Sequence, residues 1–146
     1  MQKGKILGLD WGAKRIGVSI SDKNQQMAFG RTSIENKSQD YVLEKLHEII
    51  TKEDIIAIIL GYPLNMQAEK TKSTVKVEQF KALLEKHLRI PVILHDERLT
   101  SVESGSIITS LNIKTKDKKK ETDIIAASLI LKNYLDLQRE KTKGEK

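Results

Sequence analysis

The chain has 146 residues, with 26 lysines and arginines against 20 aspartates and glutamates, a net charge of +6 and no cysteine. That length suits one domain able to bury a core and is too short for two lobes closing on a cofactor. The lack of cysteine excludes a disulfide framework and any thiolate metal site, and is compatible with a reducing compartment.

Met1-Gln2-Lys3-Gly4 leads straight into a strand pattern. No apolar run reaches the length of a signal peptide or a membrane span, so a cytoplasmic protein without membrane association is expected. "GKILGLD", residues 4–10, reads as the first strand, and it ends on an acid, Asp10. "RIGVSISD", residues 15–22, alternates Ile16, Val18 and Ile20 with Gly17, Ser19 and Ser21, which predicts a half-solvated second strand. The short turn "WGAK" makes the two antiparallel neighbours, and "QMAFGRTSIE" supplies a third strand.

A helix is predicted over 38–52, with Val42, Leu46, Ile49 and Ile50 on one face. "IIAIILG", residues 55–61, is a continuous apolar run closed by Gly and Pro, as in a parallel strand covered on both faces. A second helix follows over 72–88 with Val77, Phe80, Leu84 and Leu88 inward, and "PVILHDE" makes a fifth strand. The next helix opens at Thr100, at capping-box spacing from Glu103, and fades by Asn112. After a lysine-rich loop the last helix spans 122–137, and residues 138–146 read as a frayed basic tail. Residues 1–137 are therefore expected to form a single α/β domain. Its core is one mixed sheet of three meander strands plus two parallel strands, with helices on its faces.

Open sheets of this kind bind ligands beyond the carboxyl ends of their parallel strands. Asp10 ends the first strand, Asp96-Glu97 ends the fifth, and Asp123 heads the apolar face of the last helix with Ala126, Ala127, Ile130 and Tyr134. Such carboxylates repel one another in a cleft unless a cation sits among them, and Mg²⁺, a hard ion taking oxygen ligands, suits them. A pair of ions would activate water and stabilise the leaving oxygen in phosphodiester hydrolysis. Each acid also has an ordinary structural reading: Asp10 in a turn, Glu97 paired with Arg98 or Arg15, Asp123 at a helix N-terminus. His47, His87 and His95 have no metal-ligand spacing. Between Leu111 and Lys120, five lysines (Lys114, Lys116, Lys118, Lys119, Lys120) face one acid, Asp117, a charge run suited to a phosphate backbone or to plain solvation.

Four segments in order, "LGLDWGAKRIGVSISD", "ILGYPLNM", "DERLTSVES" and "KKKETDIIAASLIL", together resemble the motifs of the YqgF/RuvX family. These are small RNase H-like proteins described as Holliday junction resolvases and as pre-16S ribosomal RNA nucleases. The resemblance spans nearly the whole chain. It implies an RNase H-like five-stranded sheet with helices on both faces and the first strand between the antiparallel pair and the parallel strands. It also implies Asp10, Glu97 and Asp123 as an acidic set binding Mg²⁺ or Mn²⁺. The choice of Glu97 over Asp96 comes from the resemblance alone, because neighbouring strand residues face opposite ways. Where the family commonly has Asp-Gly after "PLNM", this chain has Gln67 and Ala68, and Gly105 stands where alanine is usual.

The function expected is a Mg²⁺- or Mn²⁺-dependent nuclease on structured nucleic acid, with the 5′ end of pre-16S rRNA favoured. Arg15, Arg98, Lys118, Lys119 and Lys120, with Lys114 and Lys116, would hold phosphates. A resolvase of four-way DNA is the alternative and would need a homodimer. A non-catalytic RNA-binding assembly factor and a sugar-kinase-like phosphotransferase are further alternatives; the second lacks a second lobe and nucleotide motifs.

Overall fold

The computed structural model describes residues 2–99 and 117–144. Three strands come first: β1 (Lys5–Trp11), β2 (Arg15–Ser21) and β3 (Ala28–Glu35). Then follow α1 (Gln39–Glu53), β4 (Ile55–Tyr62), α2 (Lys72–Leu88) and β5 (Val92–Asp96), a single 3₁₀ turn at Glu97–Leu99, and α3 (Lys118–Gly144). The predicted helix over 100–112 lies outside the described residues, as do Lys114 and Lys116.

The five strands form one sheet in the order β3-β2-β1-β4-β5. β1 pairs antiparallel with β2 and parallel with β4, and β5 runs parallel to β4. The first strand thus lies between the meander and the parallel pair, as expected. The helices α1 and α2 start where they should: Ser38 Oγ accepts from the Tyr41 N–H at 3.1 Å, and Thr71 and Thr74 form a reciprocal capping box.

Alternation along the strands divides the core in two. Leu7, Leu9, Ile58, Leu60 and Val92 face α1 and α2, where they meet Val42, Leu46, Val77, Phe80 and Leu84. Ile6 and Ile59 face the other way, toward Ile130, Leu131, Tyr134 and Leu135 of α3. Helices therefore cover both faces.

The second strand is not half-solvated. Gly17, Ser19 and Ser21 are buried, because α3 lies across the small-residue face of β2 and takes the place of water. Ser19 Oγ donates to the Ala127 carbonyl of α3 at 2.8 Å, and Ser21 Oγ accepts from the Ile6 N–H at 2.8 Å. Glycines permit the approach. A Cβ on Gly17 would stand 1.9 Å from the Asp123 carbonyl oxygen, and one on Gly8 would stand 2.7 Å from Leu131 Cβ. The last helix also runs beyond the predicted limits, from Lys118 to Gly144. Asp136 there pairs with both Lys132 and Arg139, an arrangement that supports helix at 138–144 where a frayed tail was expected.

Gly17→Ala is expected to lower stability by about 2–3 kcal/mol, since backbone rather than a flexible side chain must move. Chemical denaturation measures the loss, and the far-ultraviolet spectrum should stay that of a folded α/β protein.

Candidate active site

Asp10 shares the α3 face of β1 with Ile6 and Gly8, because residues 6, 8 and 10 alternate with 7 and 9. On β5, Ile93 packs toward α3, and His95 bonds Asn133 of α3 through Nε2 at 2.7 Å. Glu97 continues that side past the end of the strand, and its carboxyl comes close enough to that of Asp10 to raise the Asp10 pKa. β4 separates β1 from β5, so β1, which carries Asp10, and β5, whose end leads into Glu97, lie about 9–10 Å apart. The Glu97 side chain crosses that gap over Gly61, where a Cβ would stand 2.7 Å from Glu97 Oε1. A glutamate reaches across the intervening strand.

Asp96, on the opposite face, turns outward and clasps Arg98. Arg98 Nη2 donates to Asp96 Oδ2 at 2.6 Å, and the Arg98 N–H donates to Asp96 Oδ1 at 2.9 Å. This pairing holds the Asp96 carboxyl below its usual range. The expected contact of Glu97 with Arg98 or Arg15 is not what forms: Arg98 takes Asp96, and Arg15 takes Asp123.

Asp123 approaches from above, in the second turn of α3. Arg15 Nε donates to Asp123 Oδ2 at 2.6 Å, and Ser33 Oγ lies 3.5 Å from the same oxygen. Its charge still reaches Asp10. Burial first, then the hydrogen bond and charge of Glu97 and the charge of Asp123, push the Asp10 carboxyl from 3.8 to about 8. At neutral pH Asp10 holds a proton against Glu97. Asp117 caps α3 by accepting from the Lys119 N–H at 2.9 Å, which sets Lys118, Lys119 and Lys120 in its first turn, near the Asp123 end. Lys118 and Lys119 are exposed and Lys120 is half-buried.

The donor chemistry is that of a hard cation site. Among the described residues no three His, Cys, Asp or Glu side chains form a ready cage. Asp10 and Glu97 nevertheless present adjacent oxygens that repel unless a proton or a cation lies between them. Arg15 occupies Asp123 Oδ2 and leaves Oδ1 for a further ligand. The alternation of Gly17, Ser19 and Ser21 was the available signal for the helix that delivers Asp123. The Arg15 and Ser33 contacts had none, as they join residues 108 and 90 positions apart.

The loop after β4 closes on itself: Asn65 Oδ1 accepts from the Gln67 and Glu69 N–H groups, and Leu64 bridges Lys70. Ala68 within it has φ of 63°, the left-handed region that favours glycine.

The family model for RuvX, described as Holliday junction resolvase, matches residues 4–137. The chain belongs to the RuvX family. It is 41% identical over 138 residues to a protein of Thermoanaerobacter pseudethanolicus named "Putative pre-16S rRNA nuclease", covering 94% of this chain and 99% of that one. A Maridesulfovibrio salexigens protein of the same name is 36% identical over 131 residues, with 90% and 97% covered. Among solved structures, Thermus thermophilus RuvC in complex with a Holliday junction superposes with a TM-score of 0.62 at 10% identity, covering 92% of this chain and 96% of that one. Fowlpox virus resolvase in complex with Holliday junction DNA gives 0.57 at 12% identity, covering 92% and 98%. These two likenesses establish the RNase H-like fold, which RuvX members and RuvC share.

Two measurements follow from this geometry. Because the folded state holds a proton on Asp10 that the unfolded chain has lost, metal-free stability should fall as pH rises from about 4 to about 8. Asp10→Asn should flatten that decline and be the more stable protein at pH 8, by about 1–3 kcal/mol in urea titrations run in EDTA. Ala68→Gly should raise stability by up to about 1 kcal/mol in the same assay, by relieving the left-handed alanine.

Proposed function

We propose that this RuvX protein is a divalent-metal-dependent nuclease that hydrolyses phosphodiester bonds in structured nucleic acid, with the 5′ end of pre-16S rRNA as its favoured substrate. The observation that carries the reading is the Asp10–Glu97 carboxyl pair, one acid from β1 and one from the turn that follows β5, brought together at one edge of the sheet where burial and the neighbouring acids push the Asp10 carboxyl up to about 8. The names of its relatives support the RNA substrate. The work is assigned to the cytoplasm.

Asp10 and Glu97 would hold Mg²⁺ or Mn²⁺, with Asp123 joining through Oδ1 while Arg15 keeps Oδ2 in place. When bound, such ions polarise the phosphate and activate a water. The residues prepare the rest. Glu97 spans β4 to reach the ion site, and Asp10 must release its proton before an ion binds, so affinity rises with pH up to about 8. Arg15 anchors Asp123 in its present contact, a positioning role that differs from the phosphate contact expected for it. Lys118, Lys119 and Lys120 would lie along the phosphate backbone, with Lys114 and Lys116 continuing the basic run. Arg98 would join them by exchanging Asp96 for a phosphate.

The family description favours a second reading, a four-way DNA junction cut by a homodimer with two facing sites. The two readings separate on substrate. With Mg²⁺ or Mn²⁺, a 5′-extended pre-16S rRNA fragment should be cut and the junction spared, and EDTA should abolish cutting. Asp10→Asn should cut at least 100-fold more slowly, and Glu97→Asp, too short to cross β4, at least tenfold more slowly. Equal rates for wild type and Asp10→Asn under matched metal would overturn the mechanism. Junction cutting would move the assignment to the resolvase.

A further inference from the structure

Trp11 stands next to Asp10 on β1, but its side chain leaves the opposite face, toward α1 and α2. It lines a crevice of about 200 Å³ between the two helices, walled by Phe80 and bordered by Asn36, Gln39, Lys76 and Gln79. Lys76, Gln79 and Phe80 fall at spacings of three and four on α2, so they share one face. Trp11 and Phe80 make the crevice aromatic, and three carboxamides ring it.

Asn36 spends one amide hydrogen on the Gly12 carbonyl at 2.9 Å, which ties the rim to the β1–β2 turn. Gln39 and Gln79 are exposed and their side-chain amides enter no hydrogen bond with a described residue, and Lys76 enters no ion pair with one. An aromatic plane, amides that both donate and accept, and a cation unpaired among the described residues match an unpaired nucleobase with its phosphate.

We infer that this crevice binds an unpaired nucleobase of the substrate strand. The base stacks on Trp11, its edge bonds the Gln39 and Gln79 amides, and its phosphate lies on Lys76. The inference rests on the nuclease reading for its substrate, and it adds a specificity-determining site for a nucleotide flanking the scissile phosphate. Because Asp10 and Trp11 are consecutive, the strand would pass over the carboxyl end of β1, with the scissile phosphate on the Asp10 face of the sheet and the flanking nucleotide, base and Lys76-bound phosphate together, on the other. A continuous duplex cannot do this without extruding a base, so the site selects single-stranded or flipped nucleotides.

Trp11 is the only tryptophan, so its emission reports on this crevice directly. The full-length protein in EDTA is titrated with a single-stranded oligoribonucleotide, with an oligomer of the same length bearing abasic sites, and with a blunt duplex. The intact single strand should quench Trp11 saturably, whereas the abasic strand and the duplex should leave the emission nearly unchanged. The double variant Lys76→Ala/Gln79→Ala, at two exposed positions, should keep its thermal midpoint, bind the single strand about tenfold more weakly and lose most of the quench. Binding of the intact strand with unchanged emission, equal behaviour of wild type and double variant, or no binding at all would each overturn the site. Because EDTA suppresses cutting, a quench without cleavage in a later Mg²⁺ assay would refute the nuclease reading while keeping the base site. Cleavage without a quench would do the reverse.

Discussion

The structure depends on how closely its last helix can lie on the sheet. α3 crosses β2 and β1 over Gly17, Ser19 and Gly8, and the Asp123 carbonyl occupies the space a side chain on Gly17 would take. Protein interiors are packed too densely for such a contact to shift by a methyl group without moving backbone. Fold and chemistry are joined there, since the turn of helix resting on Gly17 is the one that carries Asp123 toward Asp10.

The same economy of side chains governs the other edge of the site. Asp10 on β1 and Glu97 just past the end of β5 are separated by β4, and they meet because Gly61 leaves a channel and because a glutamate is long enough to use it. Asp96, one residue earlier, points to the other face and is neutralised by Arg98. One face of the strand end thus carries an acid paired with arginine, and the other sends an acid toward the Asp10 carboxyl. Arg15 is bound to Asp123, so one of the basic residues at the site works to place a carboxylate.

Much of this was legible in the residues. The period-two and period-3.6 patterns located the five strands and the helices α1 and α2, with α2 matching at both ends, because burial of one face leaves its mark on every second or every third to fourth residue. Gly17, Ser19 and Ser21 misled for a physical reason. Small polar residues look the same whether they face water or a helix backbone, and Ser19 satisfies its hydroxyl on the Ala127 carbonyl instead of on solvent. The tail after Leu137 misled likewise, since charged residues that look solvated also staple a helix through Asp136.

The sequence by itself determined the order of the described elements, the inward stripes of α1 and α2, and the presence of acids at the ends of β1 and β5 and near the start of α3. These are local properties, set by periodicity and by which residue types can end a strand or begin a helix. Only the tertiary structure decided which face of the sheet α3 covers, and with it that Glu97 rather than Asp96 meets Asp10. It alone paired Arg15 with Asp123. Alternation states that neighbours point apart but not which side is which; that is decided when residues some hundred positions away pack against the sheet, and local pattern carries no record of it.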